Sequence, residues 1–173
     1  KSWDPLWVSI KDMFTFLPLF ILIIFFLFKK NGTKGLLVIL LFISVLILFT
    51  DQFTNVVKDF TQRLRPCRLD ELQGLLRDIN IRCGKYGFFS AHAANSISVT
   101  IFIINCVDES VKKFLKPVLI LWVMIFSYSR IYLGVHYPLD TIFGLSFGIF
   151  SGFLFKYISV SYTHLTLPTS YAV

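Results

Sequence analysis

Ten consecutive apolar residues, Leu19-Phe-Ile-Leu-Ile-Ile-Phe-Phe-Leu-Phe28, lie near the start of the chain with no polar interruption. A helix that is apolar on every face must be enclosed in a large core or surrounded by lipid. A mean hydropathy of +0.72, with 20 phenylalanines in 173 residues, suits lipid better than the water-bounded core of one domain. In hydrocarbon every backbone N–H and C=O needs an internal partner, which leaves helices or closed barrels. Barrel strands alternate apolar with polar residues, and the apolar runs here are continuous. The expected fold is therefore all-α, a polytopic membrane helical bundle.

Five such runs can be placed: Met13 to Phe28, Gly35 to Phe53, Ser90 to Cys106, Phe114 to Tyr132 and Pro138 to Ile158. The first two fall short of the ~20 residues a bilayer asks for, so flanking polar turns should continue them as helix. Pro18 is tolerable inside the first, because neighbouring helices can satisfy the freed backbone groups. Trp3, Pro5 and Trp7 ahead of it read as an interfacial segment. Gly144, Gly148 and Gly152 recur every fourth residue in the fifth run, a stripe that allows close backbone approach to a neighbouring helix. Residues 1–159 form a single expected domain, with further chain expected ahead of Lys1. Residues 160–173, including Ser161-Tyr-Thr-His-Leu-Thr-Leu-Pro-Thr-Ser170, resemble appended, non-native sequence and stay outside the functional argument together with His164.

The net charge of +7 is distributed unevenly. Lys29, Lys30, Lys34, Lys112, Lys113, Lys116 and Lys156 fall at one end of the spans, the cytoplasmic end by the positive-inside rule. The opposite, outer end holds a polar loop from about Thr54 to Phe88 with Lys58, Arg63, Arg65, Arg68, Arg77, Arg82 and Lys85. Loops of that length in a compact domain are usually functional. Bases gathered between apolar runs point to a bound anion and membrane lipid as partners, with no nucleic acid. Three cysteines make no disulfide scaffold. Cys67 and Cys83 share the long loop, and could pair if it faces an oxidising compartment.

Three clusters meet at the outer end. Lys58 and Arg65 are seven residues apart, so on a helix they lie about 20° out of line, two turns apart on one face. Two long cations side by side suit a phosphate, which arginine binds bidentately; alternatively, they are a solvated basic face. Ser90 is placed to cap the third helix, with His92 in its first turn, where free N–H groups make a ready anion site. The other reading of His92 is a capping or buried structural histidine. The third cluster is Ser129-Arg-Ile-Tyr-Leu-Gly-Val-His136-Tyr-Pro-Leu-Asp140. Pro138 fits the first turn of the fifth helix, and Gly134 lets the chain turn back. Asp140 can then accept a hydrogen bond from the His136 imidazole, leaving the other ring nitrogen free to attack. A purely structural Arg130–Asp140 ion pair is the alternative.

Taken together, Lys-x6-Arg-Pro, Ser-x-His and Ser-Arg-x5-His-x3-Asp, in this order and between spans, resemble the type 2 phosphatidic acid phosphatase family. This is the membrane branch of the superfamily shared with vanadium haloperoxidases. The resemblance covers about Phe14 to Tyr157. Its first motif falls on Lys58, Arg65 and Pro66, and its third is complete in Ser129, Arg130, His136 and Asp140. Its second, usually Pro-Ser-Gly-His, falls on Phe89, Ser90, Ala91 and His92, where Phe89 and Ala91 depart from the pattern. The resemblance implies a hydrolase with no cofactor and no metal, acting on a lipid phosphate or diphosphate at the outer face. His136 would be the nucleophile, Asp140 its orienting group and His92 the general acid and base. Lys58, Arg65, Ser90 and Arg130 would hold the phosphate. A phosphotransferase using the same intermediate, or a non-catalytic lipid-phosphate binder or transporter, are the alternatives. The second needs neither two histidines nor an orienting aspartate.

Overall fold

The computed structural model describes residues 2–72, 74–76 and 81–166, without side-chain detail at Met13 or residues 162–166. Arg77 thus lies outside what is described, as do residues 167–173 and the side chain of His164. Most of the described chain is helical: α1 (Asp4–Lys11), a 3-10 turn (Met13–Phe16), α2 (Leu17–Thr61), α3 (Ala91–Ile104), α4 (Glu109–Tyr132) and α5 (Pro138–Thr166). Its one bridge of β type pairs Leu64 with Tyr86 inside the loop between α2 and α3. Three segments are long and apolar enough to cross a membrane: Phe14–Thr61, Glu109–Tyr132 and Pro138–Ser161. At 14 residues, α3 rises about 21 Å and falls short of the ~30 Å hydrocarbon core.

The first two expected spans are the arms of one hinged helix. A straight helix of the 45 residues in α2 would be about 67 Å long, twice a bilayer's apolar thickness. It breaks at Gly32, whose φ of 65° and ψ of −175° are non-helical and cheap only for glycine. Both arms then return to one level. Phe16, just ahead of the first arm, and Phe20 on it meet Trp122 of α4, while Phe42 on the second stacks on Phe102 of α3. The hinge is tied to the α3–α4 turn, since Asn31 Nδ2 donates to Cys106 O and Lys30 Nζ to Val107 O. This places the lysine-rich stretches at 29–34, around the hinge of α2, and at 112–116, in the first turns of α4, at one end of the bundle, as their alternation along the sequence requires.

Ile23, Leu27, Leu46, Phe102, Leu115, Leu119 and Phe155 are buried in one core that joins all the long helices. Phe14, Leu41, Leu121, Phe150 and Phe153 project outward, the arrangement of a bundle whose solvent is lipid. The α3–α5 contact is built on the glycine stripe. A β-carbon on Gly144 would press on Ser90 O, one on Gly148 on Ala94 O and Ile97 Cγ2, and one on Gly152 on Ser98 O. The obstructing atoms at Gly148 include backbone, which cannot rotate away. Gly148→Ala is therefore expected to destabilise the protein by about 1–3 kcal/mol through overpacking, read as a lowered unfolding midpoint in detergent. An unchanged midpoint would mean that α3 and α5 do not pack through this stripe.

Two expected boundaries move. The outer loop starts later than Thr54 because α2 continues to Thr61, where Gln62 adopts the left-handed conformation (φ 45°) that closes helices. Likewise α5 does not stop at Ile158; it runs to Thr166, into the stretch expected to be non-native.

Candidate active site

The turn between α4 and α5 is set by its backbone. Gly134 takes a φ of 67°, and the N–H groups of Val135 and His136 both point to Arg130 O. Pro138 opens α5 and puts Asp140 in its first turn. His136 and Asp140 are 2% and 0% exposed. A carboxylate so buried needs donors on both oxygens. Oδ1 accepts from Arg63 Nη1 at 2.9 Å and Oδ2 from the Tyr137 N–H at 3.0 Å. His136 Nδ1 lies 3.5 Å from Oδ2, longer than a formed hydrogen bond, so a small ring movement separates the pair from a direct bond. Burial chiefly, with the charges of Arg65 and Lys58, holds the His136 imidazole below its usual pKa; the neighbouring Asp140 carboxylate works the other way. A neutral ring at pH 7 keeps a lone pair on nitrogen.

Asp140 thus pairs with Arg63, and the alternative Arg130–Asp140 ion pair is not formed. Arg63 sits within the first cluster and stacks over the Tyr137 ring at 4.3 Å. Arg130 instead lies over Phe126 and donates through Nη2 to Lys11 O at 3.4 Å. It is 6% exposed, and its Nε has no hydrogen-bond partner among the described residues. That donor is available to an anion.

The second cluster is joined to the third by the bond from Ser90 N–H to Asp140 O. Ser90 caps α3, accepting weakly from the Ala93 N–H at 3.4 Å, and its side chain is buried rather than facing the cavity. In the place of the family's proline, Phe89 is buried and packs on Phe53 and Phe147, so aromatic packing holds the approach to the helix. One turn below His92, Asn95 donates to Asp51 Oδ1 at 2.8 Å and also meets the Thr50 hydroxyl. This interhelical polar contact steadies α3 against α2.

Lys58 and Arg65 do not share a helix face. Lys58 is in the last turn of α2, but the helix has ended before Arg65, whose φ of −72° and ψ of 153° are extended. The physical reason is Pro66, which forces its predecessor out of the helical region. Arg65 is carried by the loop, with its N–H bonded to Lys85 O and its Nε to Tyr86 O at 2.9 Å. A Cys67–Cys83 disulfide ties the two sides of this loop, and Cys67 N–H bonds to Gly134 O beside the third cluster.

Arg65, His92, Arg130 and His136 line one cavity of about 320 Å³, with Phe126, Leu133 and Val135 as apolar walls. His92 is the most open of these to solvent, whereas His136 is buried. Lys58 and Ser90 support the site from outside the lining. Lys11 and Arg82 also line the cavity, and neither belongs to a motif. Lys11 is delivered by α1, which docks on α4 through Trp7 against Tyr132 and through the Tyr132 hydroxyl to Asp4. Trp7 of the expected interfacial segment makes this packing, while Trp3 stays exposed.

Residues 36–163 match the PAP2 superfamily. A lipid A 4'-phosphatase of Bacteroides thetaiotaomicron is 35% identical over 90% of this chain and 71% of its own length. One from Porphyromonas gingivalis is 33% identical over 88% of this chain and 65% of its own. The crystal structure of a transmembrane PAP2-type phosphatidylglycerolphosphate phosphatase from Bacillus subtilis superimposes with a TM-score of 0.69. That match is 22% identical and covers 93% of this chain and 79% of the other. Motifs, fold and relatives agree: the chain belongs to the PAP2 superfamily and is a membrane phosphatase of that family.

Proposed function

We propose that the chain hydrolyses a lipid phosphate, lipid A phosphate foremost, at the outer face of the inner membrane through a phosphohistidine on His136. The observation that carries this reading is the meeting of His136, His92, Arg65 and Arg130 around one cavity, with Asp140 beside Nδ1 of His136. With Nδ1 turned to Asp140, Nε2 is the nitrogen left to attack. Its bond to phosphorus forms as the bond to the lipid oxygen breaks, and His92 gives that oxygen a proton. His92 then takes a proton from water as the water oxygen attacks phosphorus. The P–N bond breaks, and inorganic phosphate leaves. Arg65, Arg130 and Lys58 stabilise charge on the non-bridging oxygens, and Ser90 contributes through the helix start it caps.

The outer-face assignment draws on the disulfide, since such bonds persist in oxidising compartments. It draws too on the lysine-rich turns at the other end of the bundle. The names of the two curated relatives favour lipid A phosphate over phosphatidic acid, phosphatidylglycerol phosphate and undecaprenyl diphosphate. Purified protein in detergent should release phosphate from lipid A phosphate faster than from these three, and vanadate should inhibit by occupying the cations around the cavity. No release from any of the four, or insensitivity to high vanadate, would overturn the reading.

A further inference from the structure

We infer that Lys11 and Arg82 form a subsite for a second anionic group carried by the substrate's headgroup, beside the phosphate that is cleaved. This rests on the lipid-phosphatase reading above. A phosphate monoester carries about −1.5 to −2 charge at neutral pH. Arg65 and Arg130 on the cavity wall, with Lys58 nearby, already match that charge. Lys11 and Arg82 bring two more positive charges to the same wall, and among the described residues none of the lining side chains is acidic. Cations gathered in a partly enclosed space repel one another, and an additional anion relieves the repulsion. The cavity also has room for one. Its volume of about 320 Å³ enters the range of pockets that hold small organic ligands, roughly 300–1,000 Å³, whereas a phosphate has five heavy atoms.

The backbone that carries each cation is anchored. Lys11 ends a helix anchored by Trp7 and Asp4 on Tyr132, and its carbonyl accepts from Arg130. Arg82 adjoins Cys83, which is fixed by the disulfide to Cys67 and by Arg68 Nη2 on its carbonyl at 2.7 Å. Lys11 is half-buried and Arg82 exposed, so the subsite lies toward the cavity mouth, where the rest of a headgroup would emerge from the catalytic phosphate.

The test compares phosphatidylglycerol phosphate, which has a diester anion next to its terminal phosphate, with phosphatidic acid, which has the terminal phosphate alone. Acyl chains are matched and zwitterionic micelles are used. In Lys11→Gln and Arg82→Gln the ratio of kcat/KM for the two lipids should fall about tenfold each, mainly through KM, from the loss of one charge-assisted contact. Lys11→Arg and Arg82→Lys should restore most of the ratio. Inorganic phosphate as an inhibitor separates a free anion from one carried by the lipid, and its inhibition constant should change less than twofold. A ratio that stays within twofold in both Gln variants would overturn the subsite. So would weakening of phosphate inhibition as large as the change in KM, because the two cations would then serve the catalytic phosphate. Failure of the lipid-phosphatase reading looks different, since the unsubstituted protein would then release phosphate from neither lipid nor from lipid A phosphate.

Discussion

Replacing His136 with alanine is expected to abolish phosphate release, by at least about 10⁴-fold in kcat, while the bundle stays folded. The size follows from the role, since removing the nucleophile of a covalent mechanism leaves only binding and charge stabilisation to act on water. Retention of the fold follows from the surroundings. The nearest polar contact of the imidazole is Asp140 Oδ2 at 3.5 Å, and Asp140 keeps Arg63 and the Tyr137 N–H after truncation. The backbone bond from the His136 N–H to Arg130 O does not involve the side chain. Phosphate release, measured beside circular dichroism and gel filtration in detergent, decides the point. A folded variant with activity within tenfold of the unsubstituted protein would remove His136 from the nucleophile role. The pH dependence should agree. Burial lowers the His136 pKa from its ordinary 6.5, so the nucleophile stays neutral and competent as pH falls through that value and is lost only at lower pH.

Much of this site can be read along the chain because lipid and phosphate both impose local signals. Apolar runs have to be long and unbroken to cross hydrocarbon, so α4, α5 and both arms of α2 stand out without any long-range information. Ser90 and Pro138 mark helix starts that the structure bears out, and Gly134 marks the turn it makes. What helical periodicity mishandled was Lys58 and Arg65. The seven-residue spacing implied a shared face, yet Gln62 ends the helix between them, and Pro66 had already signalled that Arg65 would be extended. Contacts between distant residues leave no period to find. Nothing near Arg63 announces that it will meet Asp140, 77 residues away, nor that Asp51 will receive Asn95 across a helix interface. Lys11 is hidden for the same reason. Its place in the cavity depends on a short helix docking on α4, which only the aromatic residues Trp7, Tyr128 and Tyr132 could have suggested.

The pairing of Asp140 with Arg63 leads to the second large effect. Asp140→Asn is expected to lower kcat by about 10³- to 10⁴-fold, the range seen when a buried aspartate that orients a catalytic histidine becomes its amide. A carboxylate can accept from Arg63, the Tyr137 N–H and His136 together, whereas an amide has one oxygen and offers two donors of its own. Whichever way the substituted amide turns, either Arg63 or the His136 side of the group faces a donor. The imidazole then loses both its tautomer control and the negative charge that balances it once phosphorus is attached. Arg63→Leu separates this role from a merely structural one. It breaks the 2.9 Å ion pair but leaves the carboxylate and the Tyr137 N–H in place, so His136 keeps its partner. Its kcat should fall only about tenfold, as expected for a buried charge held less firmly, while its loss of stability should be comparable to that of Asp140→Asn. If the two variants lose kcat equally, Asp140 acts through the scaffold alone. A hundredfold or larger gap at similar unfolding midpoints assigns the carboxylate directly to the chemistry of His136.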